Sequence, residues 1–434
     1  MSVIGRALEK VGRAIHRVVH PQHVEERQLL DRISRTVSAG ASSDRQLLER
    51  LSKQLQGFSK RLDGVALDRD LRGLHQDMVD LRHASARQRK MISQGLLYAK
   101  WEEARRVEER RIERRIATLA SEDRMVLVGP WSGEVGFELL YWIPFVTWAL
   151  ARAAVSPERI VVVSRGGPAS WYSHIGGRYI DLLSHVTPEE FRARTEHAKK
   201  QRTMGPFDRQ MVRTVIAEAK LGRPFLLHPG LMYTLFIPFW KEQLTVRRVD
   251  DYTKYHTITP PVVPALVGRL PSSYVAVRFY FSSCFPDTPA NRAFVEATVR
   301  SLAASTDVVL LNTGIRVDDH QDYAPGRQGR IHTVDDVMTP DQNLEIQTAV
   351  IANARAFVGT YGGYSYLAPL CGVPAVAFYS ERDAFYTVHR ELAERMIREV
   401  NGGSLVTLDA KDAALVRAAV GAVEISQHPE GLSA

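Results

Sequence analysis

Over the first 120 residues, apolar positions recur at helical spacing. Val3, Ile4, Ala7, Leu8, Val11, Ile15, Val18 and Val19 share one face, and Arg6, Lys10, Arg13 and Arg17 lie off it. This is the pattern of an amphipathic helix lying in a membrane interface, or of one packed on the protein itself or in an oligomer. Pro21 ends it, residues 24–38 suggest a further helix, and Gly40 breaks that one. Leu47, Leu51, Leu55, Phe58 and Leu62, and then Leu67, Leu71, Leu74, Met78 and Leu81, follow at steps of three and four. Residues 44–118 therefore read as long helix, either a coiled coil or an antiparallel hairpin folded on itself. At about 1.5 Å per residue such a helix would reach roughly 100 Å. Asp68-Arg69-Asp70 falls on it and reads as solvated surface.

From Met125 the pattern changes to short apolar runs alternating with helical ones. Strands are expected at 125–129, 159–163 and 224–227, with helices at 136–154, 187–200 and 208–220. The apolar run 137–155 carries Glu138, Pro144 and Arg152, which favours a buried core helix over a membrane span. A Pro-rich stretch, 259–273, reads as an interdomain linker. A second alternation follows: strand 274–279, helix 289–304, strand 307–311, helix 340–353, strands 355–359 and 374–378, and closing helices at 385–399 and 410–423. Two such alternations imply two doubly wound, Rossmann-like α/β domains preceded by a long helical region. The expected division is a basic amphipathic helix (1–20), a helical or coiled-coil region (24–118), an N-terminal α/β domain (122–262) and a C-terminal α/β domain (270–425).

Charge sharpens this division. Residues 1–120 carry 25 Lys and Arg against 16 Asp and Glu, whereas the remainder is nearly balanced at 32 against 33. The basic excess thus belongs to the helical region. That region has no nucleic-acid motif and little aromatic interleaving, so an anionic membrane surface or a homo-oligomer is the expected partner and nucleic acid is not. Two cysteines, Cys284 and Cys371, argue against a disulfide scaffold, and no signal-peptide pattern is seen. A cytoplasmic protein, peripheral on the inner face of the membrane, is expected.

Chemistry is sought where ligands of doubly wound sheets bind, at the carboxyl ends of strands. Four segments fall there. In GPWSGEVGFELLYWIPF (129–145), Glu134 or Glu138 is a candidate general base; otherwise Glu138 stabilises a helix start and Glu134 is solvated. In SRGGPASWY (164–172), Arg165 and the glycine pair are acceptor-side candidates, and Trp171 is either a sugar platform or loop packing. Arg278 ends YVAVR, placed to meet a diphosphate or to form a salt bridge. In FVGTYGGYSYLAPLCGVP (357–374), Gly362, Gly363, Tyr364 and Ser365 precede or open a helix, where phosphate can approach backbone N–H groups; the alternative is a plain strand-to-helix corner. Glu345 is a candidate for ribose hydroxyls or lies on the surface. His228, His256 and His320 are isolated, and no metal-ligand spacing, P-loop or Ser-His-Asp order is seen.

These residues resemble the GT-B class of nucleotide-sugar glycosyltransferases. SGEVGFELLYW resembles the Gly-rich loop of its fucosyltransferase-like branch, and Arg278 in YVAVRF resembles that branch's arginine ending a strand at the start of the donor domain. Leu367, Ala368, Gly372, Val373 and Pro374 are similar to the corresponding segment of bacterial heptosyltransferases. The resemblance covers roughly 125–425, with departures: Ala276-Val277-Arg278-Phe279 lacks the second basic residue of the fucosyltransferase strand, and Thr360-Tyr361-Gly362 replaces the heptosyltransferase Asp-Thr-Gly. It implies inverting, metal-independent sugar transfer from a nucleotide-sugar donor, a substrate rather than a cofactor, to a glycan or lipid-linked acceptor. The excess of arginine over lysine (46 to 11) and the basic amphipathic N-terminus point to a bacterial setting in surface-polysaccharide assembly at the cytoplasmic membrane face. Arg278, Gly362, Gly363 and Ser365 would hold the donor diphosphate. The competing expectations are a non-catalytic scaffold with a degenerate transferase-like domain, and another nucleotide-sugar-handling α/β enzyme.

Overall fold

The structure is a computed structural model that describes residues 99–121, 123–195, 201–312, 314–315, 321–323 and 329–425. The amphipathic segment 1–20 and the leucine-patterned stretch 24–98 lie outside the described residues. The chain divides into two compact units, Met1–Val107 and Glu108–Ala434. In the first, residues 99–107 are helical, and Glu102 accepts from Arg105 and Arg106 one turn away.

The second unit contains two parallel sheets. Its opening helical residues, 108–121, bury Ile112, Ile116 and Leu119 in the main core, and Glu113 accepts from the Tyr252 hydroxyl at 2.9 Å. The expected end of the helical region at 118 therefore cuts through a helix whose last turns belong to the α/β unit.

The first sheet has the order β3-β2-β1-β4, all parallel, from β1 (Val126–Val128), β2 (Ile160–Ser164), β3 (Arg178–Asp181) and β4 (Phe225–Leu227). The strands β1 and β2 are buried on both faces, which explains their unbroken apolar runs. The second sheet is built from β5 (Tyr274–Arg278), β7 (Asp307–Leu310), β9 (Ile331–Thr333), β10 (Ala356–Thr360), β11 (Ala375–Tyr379) and β12 (Leu405–Asp409). Its order is β12-β11-β10-β5-β7-β9, again all parallel. A small antiparallel pair, β6 (Tyr280–Phe281) and β8 (Gln321–Asp322), lies just beyond β5.

Two doubly wound Rossmann-like sheets are thus present. In each, the strand order reverses once beside the first strand, between β1 and β4 and between β5 and β10. Such a switch point opens a crevice at the strands' carboxyl ends. The expected core helix is one continuous rod, Val135–Phe137, a π-turn at Glu138–Trp142, then Ile143–Arg152. Among the described residues no helix is long and apolar enough to cross a membrane.

The chain crosses between the sheets earlier than the Pro-rich stretch. Lys254 N–H donates to the Pro144 carbonyl in the first domain, and Ile258 N–H donates to the Leu370 carbonyl in the second. The helix Thr387–Glu399 packs back toward the first domain through the Arg395–Asp250 ion pair. A single apolar core accordingly runs through both sheets, with a smaller one behind β1 and β2.

Candidate functional site

A cavity of about 500 Å³ lies at the carboxyl ends of both switch points. It is ample for a substrate of nucleotide size. Glu134, Gly136 and Arg165 reach it from the first sheet, and Arg278, Gly362, Gly363 and Tyr364 from the second. These expected residues are therefore brought together.

Glu134 ends the loop after β1 and is the N-cap residue of the helix Val135–Phe137, with extended backbone and no capping bond from its side chain. Its carboxylate is exposed and lines the cavity. Two groups hold the loop beneath it. Arg165 donates from Nε and Nη2 to the Gly133 carbonyl, at 3.1 and 2.5 Å. Gln201 accepts from Ser132 N–H and donates to the Pro130 carbonyl. Arg165 is thus both a cavity cation and the clamp on the Glu134 loop.

Glu138 takes a different part. It starts the π-turn and is wholly buried, accepting from Ser164 Oγ at 2.5 Å and from the Tyr172 hydroxyl at 2.6 Å. Burial pushes its carboxyl up to about 7, against the opposing pull of Arg165 and the two hydroxyls. It does not line the cavity, so the structure removes it as a base acting on a substrate.

Arg278 ends β5 with its guanidinium on the cavity wall. It donates to Gln347 Oε1 and to Asp322 Oδ1 (3.1 Å) and stacks 4.1 Å from the Tyr364 ring centroid. Both the cation at the cavity and the salt bridge expected as its alternative are thus present.

Three further expected site residues are corrected. Trp171 is wholly buried, its indole N–H donating to Thr348 Oγ1 at 2.8 Å, so it is loop packing and cannot be a sugar platform. Ser365 is also buried. Its hydroxyl accepts from the Gly362 amide and donates to the Gly362 carbonyl, at 3.1 and 2.7 Å, which caps the helix Gly363–Leu370 and leaves no phosphate role. Glu345 faces the first domain, accepting from Ser170 Oγ at 2.8 Å, and does not line the cavity.

Gly166, Gly167 and Gly363 are held to glycine by contact between the domains, whereas Gly362 is crowded by Tyr280 of its own domain. A β-carbon at Gly363 would stand 2.6 Å from Val135 Cγ1 and 2.8 Å from the Gly136 amide nitrogen. One at Gly167, whose φ is +78°, would stand 2.9 Å from Gln342 Cα. The helices Val135–Phe137 and Gly363–Leu370 therefore meet start to start at the cavity wall, and their positive dipole ends favour an anion there.

Several lining residues carried no signal in the sequence. Arg202 and Lys241 add exposed cations, so Arg165, Arg202, Lys241 and Arg278 oppose Glu134 and Asp322 among the described lining residues. Trp240 and Tyr386 supply aromatic surface, the latter 64% exposed. His389 lines the cavity from the helix Thr387–Glu399, with Nδ1 2.6 Å from the Tyr141 hydroxyl.

No family model matches the chain, and no curated protein matches it by sequence. Among solved structures it is similar to the E. coli ADP-heptose heptosyltransferase II, at TM-score 0.38 and 12% identity over 70% of this chain and 99% of that one. It is also similar to a family 9 glycosyl transferase from Veillonella parvula, at TM-score 0.36 and 15% identity over 69% and 90%. An E. coli heptosyltransferase with ADP follows at TM-score 0.34 and 14% identity over 68% and 99%. Likenesses this weak leave the function to be read from the chain's own site.

Proposed function

We propose that the Glu108–Ala434 unit is a glycosyltransferase that moves a sugar from a nucleoside-diphosphate donor to a hydroxyl of a glycan or lipid-linked acceptor. One observation carries the reading: the switch points of both sheets open onto a single cavity ringed by four cations and two helix starts. A diphosphate is the ligand that such a surplus of positive charge at two helix N-termini suits best.

In this reading the donor diphosphate lies by Arg278 and the start of the Gly363–Leu370 helix, with Arg202 and Lys241 at hand for charge that develops on departure. Glu134 takes the proton from the acceptor hydroxyl, and the acceptor oxygen attacks the anomeric carbon from the side opposite the diphosphate. The products are an inverted glycoside and a nucleoside diphosphate. Preorganised cations compensate the leaving charge, so the reading calls for no metal. Trp240 and Tyr386 take the platform role for a sugar ring that Trp171 cannot.

Calorimetry with a panel of nucleoside-diphosphate sugars tests the reading. Binding of one member, weakened in Arg278→Ala, supports it. A panel that neither binds nor raises the melting temperature sinks it and favours the scaffold.

The finer setting, surface-polysaccharide assembly at the inner face of a bacterial membrane, rests on the basic amphipathic pattern of residues 3–19. Each basic residue near an anionic surface is worth about 1 kcal/mol, and self-association through 44–118 would add avidity. Deleting residues 1–20 should release the protein from anionic vesicles in a salt-dependent way. Equal sedimentation of both forms would assign the helix to the oligomer instead.

A further inference from the structure

We propose that Glu138 is a positioning residue: from beneath the cavity it holds the backbone on both sides of Glu134 and so aims that base at the acceptor hydroxyl. The inference rests on the transferase reading above and extends it to a carboxyl that touches no substrate.

One carboxyl oxygen closes the SRGGPASWY loop. Glu138 Oε1 accepts from Ser164 Oγ at the start of the loop, at 2.5 Å, and from the Tyr172 hydroxyl at its end, at 2.6 Å. Both lengths are those of a hydroxyl donating to a carboxylate, the stronger class of hydrogen bond. Between them the Gly166 carbonyl accepts from Leu344 N–H, and Gly167 N–H donates to Asp181 Oδ2 at 2.6 Å. Arg165 is therefore carried on a stretch fixed on either side of it, and is itself buried.

From that fixed place the Arg165 guanidinium donates twice to the Gly133 carbonyl, in the peptide that leads into Glu134. A second tie is direct: Glu138 N–H donates to the Glu134 carbonyl at 3.1 Å. The carbonyls before and at Glu134 are thus both held by bonds that lead back to Glu138. The Glu134 carboxylate itself has no hydrogen bond or ion pair among the described residues, and it makes no capping bond. Its backbone alone therefore aims it, and that backbone is what Glu138 holds.

Two further observations set Glu138 apart from ordinary core. Its Oε2 is wholly buried and has no partner, so all of its accepting is done by Oε1. Packing alone does not call for a buried acid with a bare oxygen, and each such group in a native fold asks for a reason. It also starts the π-turn, in which Ile143 N–H reaches back five residues to the Glu138 carbonyl. Such turns interrupt helices most often at functional sites. Here the turn ties the Glu138 backbone on its far side as the Glu134 carbonyl ties it on the near one.

The test measures turnover and donor affinity on the full chain, with the nucleoside-diphosphate sugar that the panel above identifies. Glu138→Met has a similar size and no acceptor. It should lower kcat by about 10- to 10²-fold, the cost of a misplaced group, and leave donor affinity by calorimetry little changed. Glu138→Gln keeps an oxygen for Ser164 and Tyr172 and should recover most of the loss. Ser164→Ala cuts the bond nearest Arg165 and should reproduce part of it, including where Glu138→Met fails to fold. The decisive comparison is made in Glu134→Gln. There Glu138→Met, or Ser164→Ala in its place, should lower the residual turnover no further, because the base that Glu138 positions is gone. An equal loss in both backgrounds would make Glu138 merely structural and overturn the proposal, as would a wild-type kcat in both Glu138→Met and Ser164→Ala. Neither result touches the transferase reading. A chain that binds no nucleoside-diphosphate sugar overturns that reading and the positioning role with it.

Discussion

Gly363 rests on Gly136: a β-carbon at the first would stand 2.8 Å from the amide nitrogen of the second. The two glycine-rich loops are therefore partners across the domain boundary. Gly363→Ala should part them and cost about 1–3 kcal/mol, as overpacking of a tight contact does. Gly421→Ala is the control, since nothing lies within 4 Å of its added carbon and it sits in the helix Ala413–Ile425. It should be neutral or stabilising by up to about 1 kcal/mol. Thermal melts of the two variants check this, and equal melting temperatures would contradict the packing account.

Glu134→Gln should remove turnover while leaving donor affinity nearly intact, because the carboxylate acts on the acceptor and not on the diphosphate. Loss of a general base costs roughly 10²–10⁴-fold. Donor affinity by calorimetry and turnover by product release separate the two effects. A variant with full turnover would leave the cavity without its assigned base.

Arg278 and Asp322 should act in opposite directions on donor binding. The carboxylate sits 3.1 Å from the guanidinium that a phosphate would seek. Arg278→Ala should weaken a nucleoside diphosphate by about 1.5–3 kcal/mol, the range of a charged hydrogen bond. Asp322→Asn removes a like charge from the same spot and should tighten it. Calorimetry on both variants decides, and weakening in both would assign Asp322 to the donor sugar rather than to competition with its phosphate.

The fold was legible where burial is complete. The strands β1, β2, β5, β10 and β11 are apolar runs that the sequence displays plainly, and their alternation with helices indicates two doubly wound domains. Elements on the sheet margins were not seen: β3 is only partly buried, β9 and β12 are half-exposed edges, and none has an unbroken apolar run. The helix Pro229–Trp240 was missed because it is apolar on nearly every side and carries Pro238 inside, so it has no polar face to mark its period. The site was half legible for a similar reason. Glu134 lies in the loop after β1 and Arg278 ends β5, so both could be placed from the pattern. His389, Arg202 and Lys241 reach the cavity only through packing between the domains, which no local pattern reports. Ser365 and Trp171 stood beside the right loops, but which way a side chain turns depends on a partner far along the chain, such as Thr348 for Trp171.

The buried Glu138 makes a prediction about pH. Its folded-state carboxyl titrates at about 7, against an ordinary 4.5. Below pH 4.5 both folded and unfolded chains hold the proton, and Glu138 contributes no pH dependence. Between 4.5 and 7 the unfolded chain loses it while the folded chain keeps it, so stability falls as pH rises. Above 7 both forms are ionised and the penalty is constant, roughly 3 kcal/mol for a shift of this size. Glu138→Gln keeps an oxygen to accept from Ser164 and Tyr172 but removes the charge. The variant should therefore lack this part of the downward slope and gain on the wild type as pH rises from 4.5 to 7. Denaturant melts of both proteins at pH 5 and pH 8 measure it. Parallel stability profiles would mean that Glu138 titrates in its ordinary range, with Arg165 and the two hydroxyls outweighing its burial.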